Sequence, residues 1–218
     1  MQEKHTVDRP FTRHVQLDYL LHVPEGKGKH PVIIFLHGRG ERGSDLDKIK
    51  VHGIPRIVDE NPDFPFITVS PQCPGDTSWV MITDALEAMV DDVLKREDVD
   101  PSRVYLTGLS MGGYGTWHLA AERPETFAAI APICGGASWM NGFPERVERL
   151  IHTPVWAFHG ADDPVVPISE QQQLIDALQP ISKAEVRFTV YPVCGHDSWT
   201  QTYANPELYD WFVEHRRE

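Results

Sequence analysis

Short apolar runs recur along the whole chain and alternate with longer amphipathic stretches. The run from Val32 to Leu36 is apolar at every position, which is typical of a strand buried on both faces of a sheet. Further runs of strand length, most of which end at Gly, Pro or Ser, are Val15 to Val23, Phe66 to Val69, Val104 to Leu106, Phe127 to Ile133, Val155 to Phe158 and Val186 to Tyr191. The pattern therefore predicts about seven strands.

Four of the amphipathic stretches have helical periodicity. Apolar residues from Leu86 to Leu94 recur at spacings of three and four, so they occupy one face of a helix. Ser169 and Gln172 have the spacing of a capping box, which predicts a helix that starts at Ser169 and ends before Pro180. The other two helices are predicted over Ser110 to Ala121 and Tyr203 to His215.

The order of these elements predicts an α/β fold. Strands that alternate with helices through short connections require right-handed parallel crossovers, which place helices on both faces of a mostly parallel sheet of seven or eight strands. No linker rich in Pro, Gly or Ser interrupts the alternation, so we expect one domain over residues 1–218, without a large lid. In such a sheet, ligands bind at the carboxyl ends of the strands.

A Gly-x-Ser-x-Gly pattern follows the strand that ends at Leu106 and precedes a predicted helix. Ser110 is the central serine, between Gly108 and Gly112. In a sharp strand-to-helix turn, a side chain at either glycine would collide with the neighbouring strand or helix, and the serine hydroxyl projects into solvent. The context therefore predicts that Ser110 is a nucleophile.

A serine nucleophile needs a base, and the base needs a carboxylate that orients it. The strand that ends at Phe158 leads into a loop with Asp162 and Asp163, and the strand that ends at Tyr191 leads into a loop with His196. Serine, acid and histidine thus follow three strands of one sheet, in the chain order expected with a nucleophile elbow. These positions predict a catalytic triad.

Five segments carry a resemblance that spans most of the chain. They are residues 36–43 (LHGRGERG), residues 71–74 (PQCP) with Trp79, residues 108–113 (GLSMGG), residues 159–167 (HGADDPVVP) and residues 195–196 (GH) with Trp199. With them the chain resembles the α/β-hydrolase superfamily, specifically its small carboxylesterase branch of dienelactone hydrolases, phospholipase/carboxylesterase proteins and feruloyl-esterase-like predicted peptidases.

The resemblance assigns roles to the three candidate residues. Carried over by position, it implies that Ser110 is the nucleophile, that His196 is the base and that the acid lies in the loop after Phe158. The carboxylate directly before Pro-x-Val-Pro is the catalytic one in the related pattern, which implies Asp163, with Asp162 as the alternative.

Attack on an ester creates an oxyanion that needs N–H donors. The elbow supplies one from the residue after the nucleophile, Met111, and the loop after the second long strand supplies the other, which we assign to Arg39, with Gly40 as the alternative. In relatives the histidine of the His-Gly pair holds this loop in shape, so the resemblance implies a structural role for His37.

The remaining candidates are tryptophans and histidines. We expect Trp199 to line the substrate pocket because it lies three residues past the candidate base His196, and Trp79 because it follows a strand-end loop that resembles one lining the family's pocket; Trp139 is a weaker candidate. We expect His118 and His159 to be structural and to take no part in proton transfer.

These assignments predict a serine carboxylesterase that hydrolyses short-chain or aryl esters through an acyl-enzyme. Its partner is then a small-molecule ester, and the chemistry requires no cofactor or metal. A thioesterase or a serine peptidase uses the same triad, and a non-catalytic binding protein can share the fold, so these alternatives stay open.

Composition and charge narrow the partners further. The 218 residues include 20 Lys and Arg against 32 Asp and Glu, a net charge of −12 without a basic cluster, which disfavours nucleic-acid binding. No apolar run approaches the ~18 residues of a membrane helix, and the first residues have no apolar signal core. We therefore expect a cytoplasmic protein, or an extracellular domain excised from a longer secreted protein, of open oligomeric state.

The three cysteines are Cys73, Cys134 and Cys194. Their number and spacing match neither a disulfide scaffold nor a zinc site, which favours free thiols. A bridge between Cys73 and Cys194 is the alternative for an extracellular chain.

Overall fold

The computed structural model describes residues 3–10, 12–138 and 140–217, and this part of the chain forms a seven-stranded sheet. The strands are β1 (Tyr19–His22), β2 (His30–Leu36), β3 (Ile67–Pro71), β4 (Val99–Leu109), β5 (Ala129–Ile133), β6 (Val155–Gly160) and β7 (Val186–Tyr191). Their order across the sheet is β1-β3-β2-β4-β5-β6-β7, with β1 antiparallel to β3 and the other pairs parallel. The predicted mostly parallel sheet is confirmed.

Six α-helices lie within the described residues. They are α1 (Gly53–Glu60), α2 (Thr83–Leu94), α3 (Met111–Glu122), α4 (Ser169–Leu178), α5 (Trp199–Ala204) and α6 (Pro206–Glu214). Short 3₁₀ helices occupy Leu46–Val51, Trp79–Met81 and Glu145–Leu150. The helix α1 has no counterpart among the predicted helices.

The predicted capping box at the start of α4 is wrong. Ile168 occupies the N-cap position and its side chain makes no cap hydrogen bond, so Ser169 is already helical. The Gln172 side chain instead donates to Asp176 at 2.7 Å, one turn further along the helix.

The helix predicted over Tyr203 to His215 is two helices. Asn205 lies between them, and its side-chain oxygen accepts a hydrogen bond from the Glu207 N–H at 3.1 Å, which caps α6. Pro206 is the first residue of α6, where a missing N–H has no cost. The Asn-Pro pair therefore ends one helix and begins the next.

Alternate residues of the central strands pack on opposite faces of the sheet. In β2, Val32, Ile34 and Leu36 belong to the core beneath α2, α3 and α4, whereas Ile33 and Phe35 belong to the core beneath α1, α5 and α6. All five are at most 1% exposed. Helices therefore cover both faces, as the continuous apolar run predicts.

The carboxyl ends of the parallel strands lie along one edge of this sheet. The loops that start there are residues 37–45 after β2, residues 72–78 after β3, the turn at Ser110 after β4, the loop that begins at residue 134 after β5, residues 161–168 after β6 and residues 192–198 after β7. Among its described residues, the segment between β5 and β6 contains one short 3₁₀ helix and no large lid. Within the described part of the chain, no helix is both long and apolar enough to cross a bilayer.

Candidate active site

The turn between β4 and α3 holds Ser110 at φ 54° and ψ −117°, a conformation that is strained for any residue with a Cβ. Its N–H donates to the Ile133 carbonyl at 2.9 Å, which ties the turn to β5. A Cβ at Gly108 would lie 2.7 Å from the Leu36 carbonyl oxygen, and a Cβ at Gly112 would collide with the same oxygen. Both glycines are therefore required for so tight a turn.

Ser110, His196 and Asp163 form one hydrogen-bonded line. The Ser110 Oγ lies 2.9 Å from His196 Nε2, and the His196 Nδ1 lies 2.7 Å from Asp163 Oδ2. A carboxylate accepts only, so Nδ1 carries the imidazole proton and Nε2 is free to accept the serine O–H. The structure thus brings together the three residues that the sequence placed at separate strand ends.

The two candidate acids differ in their surroundings. Asp163 is 8% exposed, and its Oδ1 accepts the N–H groups of Val165 at 2.8 Å and Val166 at 2.9 Å. Asp162 is exposed at the surface of the same loop. Only Asp163 contacts His196, which favours it over its neighbour as the orienting carboxylate.

His37 holds the loop after β2 in shape. Its Nε2 accepts the Cys73 N–H at 3.0 Å, so Nδ1 carries the proton and donates to the Gly38 carbonyl at 2.6 Å. Burial lowers the pKa of His37 to about 4, so the ring is neutral at pH 7. The buried Trp79 indole N–H donates to the His37 carbonyl at 2.9 Å, which also holds this loop in place.

The candidate oxyanion donors flank the serine. Met111 is the first residue of α3, and N–H groups in the first turn of a helix have no acceptor within that helix. Arg39 and Gly40 are both exposed in the loop that His37 braces. Arg39 therefore stays the predicted second donor, with Gly40 as the alternative.

The three tryptophan candidates differ in position. Trp79 is 0% exposed, with its side chain against Gly115 and its N–H on the His37 carbonyl, so it is enclosed in the core. Contrary to the prediction, it does not line a pocket. Trp139 lies outside the described residues. Trp199 is half-buried, and its ring meets the His196 ring edge-on at 5.3 Å between centroids.

Trp199 also forms part of a surface cleft of about 210 Å³ between α1 and α5. Its ring meets the His52 ring edge-on at 5.6 Å between centroids, so it separates this cleft from His196. The cleft is lined by His52, Gly53, Arg56, Ile57, Glu60, Trp199, Thr200, Tyr203 and Ala204.

Sequence reasoning missed Gln171, which is 0% exposed. Its side chain donates to the Phe158 carbonyl at 2.9 Å and accepts the Gly135 N–H at 3.2 Å. It thereby joins the ends of β5 and β6 beneath residues 161–168, the acid loop. The signal was its spacing: Gln171 falls on the same helical face as Leu174 and Leu178, where an apolar residue is expected.

All three cysteines are free thiols, so no bridge joins Cys73 to Cys194. Cys134, Asp163 and His196 place possible metal-ligand atoms within 4.8 Å of one another. Burial strongly raises the pKa of the Cys134 thiol, which opposes the thiolate form that binds metals. Asp163 and His196 are moreover hydrogen-bonded to each other, which makes this cluster a poor metal site.

The mostly parallel sheet, the strained serine turn and the acid and histidine loops at its carboxyl edge define an α/β hydrolase. The chain matches the phospholipase/carboxylesterase family over residues 62–205 and belongs to that family.

Known relatives and structures agree with this class. The chain is 25% identical over 193 residues to a probable feruloyl esterase C of Aspergillus oryzae, covering 85% of this chain and 69% of the relative. It is 48% identical over 52 residues to poly(3-hydroxyalkanoate) depolymerase C of Paucimonas lemoignei, covering 24% of this chain and 13% of the relative. The crystal structure of a thermostable esterase superposes with a TM-score of 0.80 at 35% identity, covering 93% of this chain and 60% of that one.

Coverage differs widely among the relatives. The chain spans 13%, 18% and 42% of the length of the P. lemoignei depolymerase, a bifunctional acetylxylan esterase/xylanase of Neocallimastix patriciarum and a putative esterase of Nocardia uniformis. These proteins therefore contain long segments that have no counterpart in this chain.

Proposed function

We propose that this chain is a serine carboxylesterase that acts on short-chain or aryl esters. The proposal rests on the chain of hydrogen bonds from Ser110 through His196 to Asp163. Ser110 lies in a strained turn at the carboxyl edge of the sheet. Membership of the phospholipase/carboxylesterase family supports it.

The reaction begins with attack by Ser110 Oγ on the ester carbonyl carbon. His196 Nε2 accepts the serine proton as the bond forms, and the buried Asp163 carboxylate stabilises the resulting imidazolium through Nδ1. The N–H groups of Met111 and Arg39 would hold the oxyanion, where one well-placed donor lowers the barrier by about 3 kcal/mol.

Collapse of the tetrahedral intermediate releases the alcohol. The His196 imidazolium returns its proton to the leaving oxygen, so the alcohol departs neutral and Ser110 remains acylated. Water then attacks the acyl-enzyme, with His196 again as the base, and the acid is released. No step calls on a group beyond the chain, the ester and water.

The surroundings of His196 support small or flat substrates. Within the described residues, the loops at the carboxyl edge include no large lid, and the cleft of about 210 Å³ between α1 and α5 is separated from His196 by the Trp199 ring. With this ring in place a long acyl chain on Ser110 cannot enter the cleft, which favours esters with short acyl chains or one aromatic ring over long-chain lipids.

Hydrolysis of a matched panel tests the proposal: p-nitrophenyl esters from acetate to palmitate, methyl ferulate, a butyryl thioester and a p-nitroanilide. We expect kcat/KM to be highest for the short and aryl esters and to fall with acyl length. A thioester hydrolysed faster than the matched ester would make the chain a thioesterase. Cleavage of the anilide alone would indicate a peptidase, and an inert protein would indicate a binding role.

Trp199→Ala should change substrate preference more than stability. The ring lies between His196 and the cleft, so its removal opens the cleft to an acyl chain on Ser110. One methylene group more or less in an apolar pocket changes kcat/KM by about tenfold or more. We expect the ratio of kcat/KM for hexanoate to that for acetate to rise. Trp211→Phe, at a buried tryptophan of α6, is the control that should leave the ratio unchanged. A large fall in melting temperature of Trp199→Ala with an unchanged ratio would refute the role.

A further inference from the structure

A second histidine lies behind the acid of the proposed triad. His159, near the end of β6, is 0% exposed. Its Nε2 lies 2.9 Å from the Val166 carbonyl oxygen and 3.4 Å from Asp163 Oδ2. Both neighbours are acceptors, so Nε2 must carry a proton and donate.

The other ring nitrogen shows that His159 stays neutral. Its Nδ1 is buried and has no hydrogen-bond partner among the described residues. A proton added there would be buried without an acceptor, and burial accordingly lowers the pKa of His159. The ring is therefore a fixed donor that exchanges no proton during the reaction.

The hydrogen bonds of His159 and Asp163 close into one unit around the carboxylate. The Val166 N–H donates to Asp163 Oδ1 at 2.9 Å, while the Val166 carbonyl accepts from His159. The N–H of Val165 reaches the same oxygen at 2.8 Å. Oδ1 is held by the loop and Oδ2 faces two histidines, His196 at 2.7 Å and His159 at 3.4 Å.

We propose that His159 is a positioning residue, which fixes the acid loop and the rotation of the Asp163 carboxylate so that Oδ2 stays on His196. The proposal rests on the proposed function, because it gives His159 a part in the triad. A carboxylate free to turn would spend time away from His196, and misplacement of a catalytic group by about 1 Å can cost about a hundredfold in rate.

Three substitutions test the role. His159→Phe keeps a ring without an N–H, His159→Asn carries an amide too short to reach Val166 from the same backbone, and His159→Gln restores a donor of suitable reach. We expect Phe and Asn to lower kcat on p-nitrophenyl butyrate about ten- to a hundredfold with little change in KM, and Gln to recover most of it. The low-field proton resonance of the His196–Asp163 hydrogen bond should weaken in Phe and Asn and return in Gln.

His118 provides the matched control. It too is largely buried, its Nε2 is hydrogen-bonded to Thr83 Oγ1 at 3.0 Å, its Nδ1 has no partner among the described residues, and burial lowers its pKa. His118→Phe should lower the melting temperature to a similar extent but leave kcat and the low-field resonance unchanged.

Two outcomes would overturn the role. One is a folded His159→Phe or His159→Asn enzyme that keeps wild-type kcat and the resonance, and the other is an equal loss of kcat in His118→Phe. If His159→Phe does not fold, His159→Asn and the resonance decide. Ser110→Ala in the same assay separates the two proposals: if it remains active, the proposed function fails, whereas an inert Ser110→Ala beside a fully active His159→Phe refutes only the positioning role.

Discussion

Ser110→Ala should lower kcat for p-nitrophenyl butyrate by about six orders of magnitude, because without the hydroxyl no acyl-enzyme forms. The residual rate should come from the oxyanion donors and substrate binding alone. The variant should keep its fold, since the N–H of residue 110 still donates to the Ile133 carbonyl and alanine has the same Cβ as serine. Steady-state kinetics and thermal unfolding of the purified variant check both points.

Ser110→Gly is the informative companion. The backbone at position 110 has φ 54° and ψ −117°, which glycine adopts without a Cβ clash. Both variants should be inactive, but the glycine variant should be the more stable of the two by about 1 kcal/mol, because relief of a backbone outlier of about 1–3 kcal/mol outweighs the extra folding entropy of about 0.5–1 kcal/mol that glycine loses. An active alanine variant would remove Ser110 from the mechanism. A glycine variant that is less stable than the alanine variant by about 0.5–1 kcal/mol would show that the turn stores no strain.

The sequence allowed the sheet and the triad to be predicted because both depend on local pattern. Each strand of the parallel sheet contains a short, largely apolar run, which in β2 is continuous from Val32 to Leu36, and the loop that follows each parallel strand starts at the same edge of the sheet. Once Ser110, Asp163 and His196 were placed after β4, β6 and β7, the parallel arrangement alone required them to share that edge.

The contacts of the supporting residues could not be predicted, because they depend on the path of the loops and on how the helices pack on the sheet. Nothing in the sequence indicates that His159 turns toward Asp163, since this depends on the path of the backbone through residues 160–166. Gln171 has a sequence signal, but its partners at Phe158 and Gly135 follow from how α4 packs on the sheet. Trp79 was misplaced because distance along the chain does not show which side of the loop a ring occupies.

Asp163→Asn should lower kcat by about four orders of magnitude while leaving the fold intact. Asp163 Oδ1 accepts two backbone N–H groups, from Val165 and Val166, so the asparagine oxygen must occupy that position. The amide NH₂ then replaces Oδ2 and points at His196 Nδ1, which was 2.7 Å from the carboxylate. A donor there forces the imidazole proton onto Nε2, which can no longer accept the proton of Ser110.

Asp162→Asn is the matched control, because it makes the same chemical change one residue away on an exposed side chain. Its kcat should stay within about twofold of the wild type, as is usual for surface substitutions away from such contacts. Both variants are measured at pH 7 beside their melting temperatures. If Asp162→Asn were the inactive one, the acid would be Asp162, and the contact between Asp163 and His196 would have to be exchanged during catalysis. If both retained activity, His196 would act as a base without a carboxylate partner. The positioning role proposed for His159 would then be refuted as well, because it depends on Asp163.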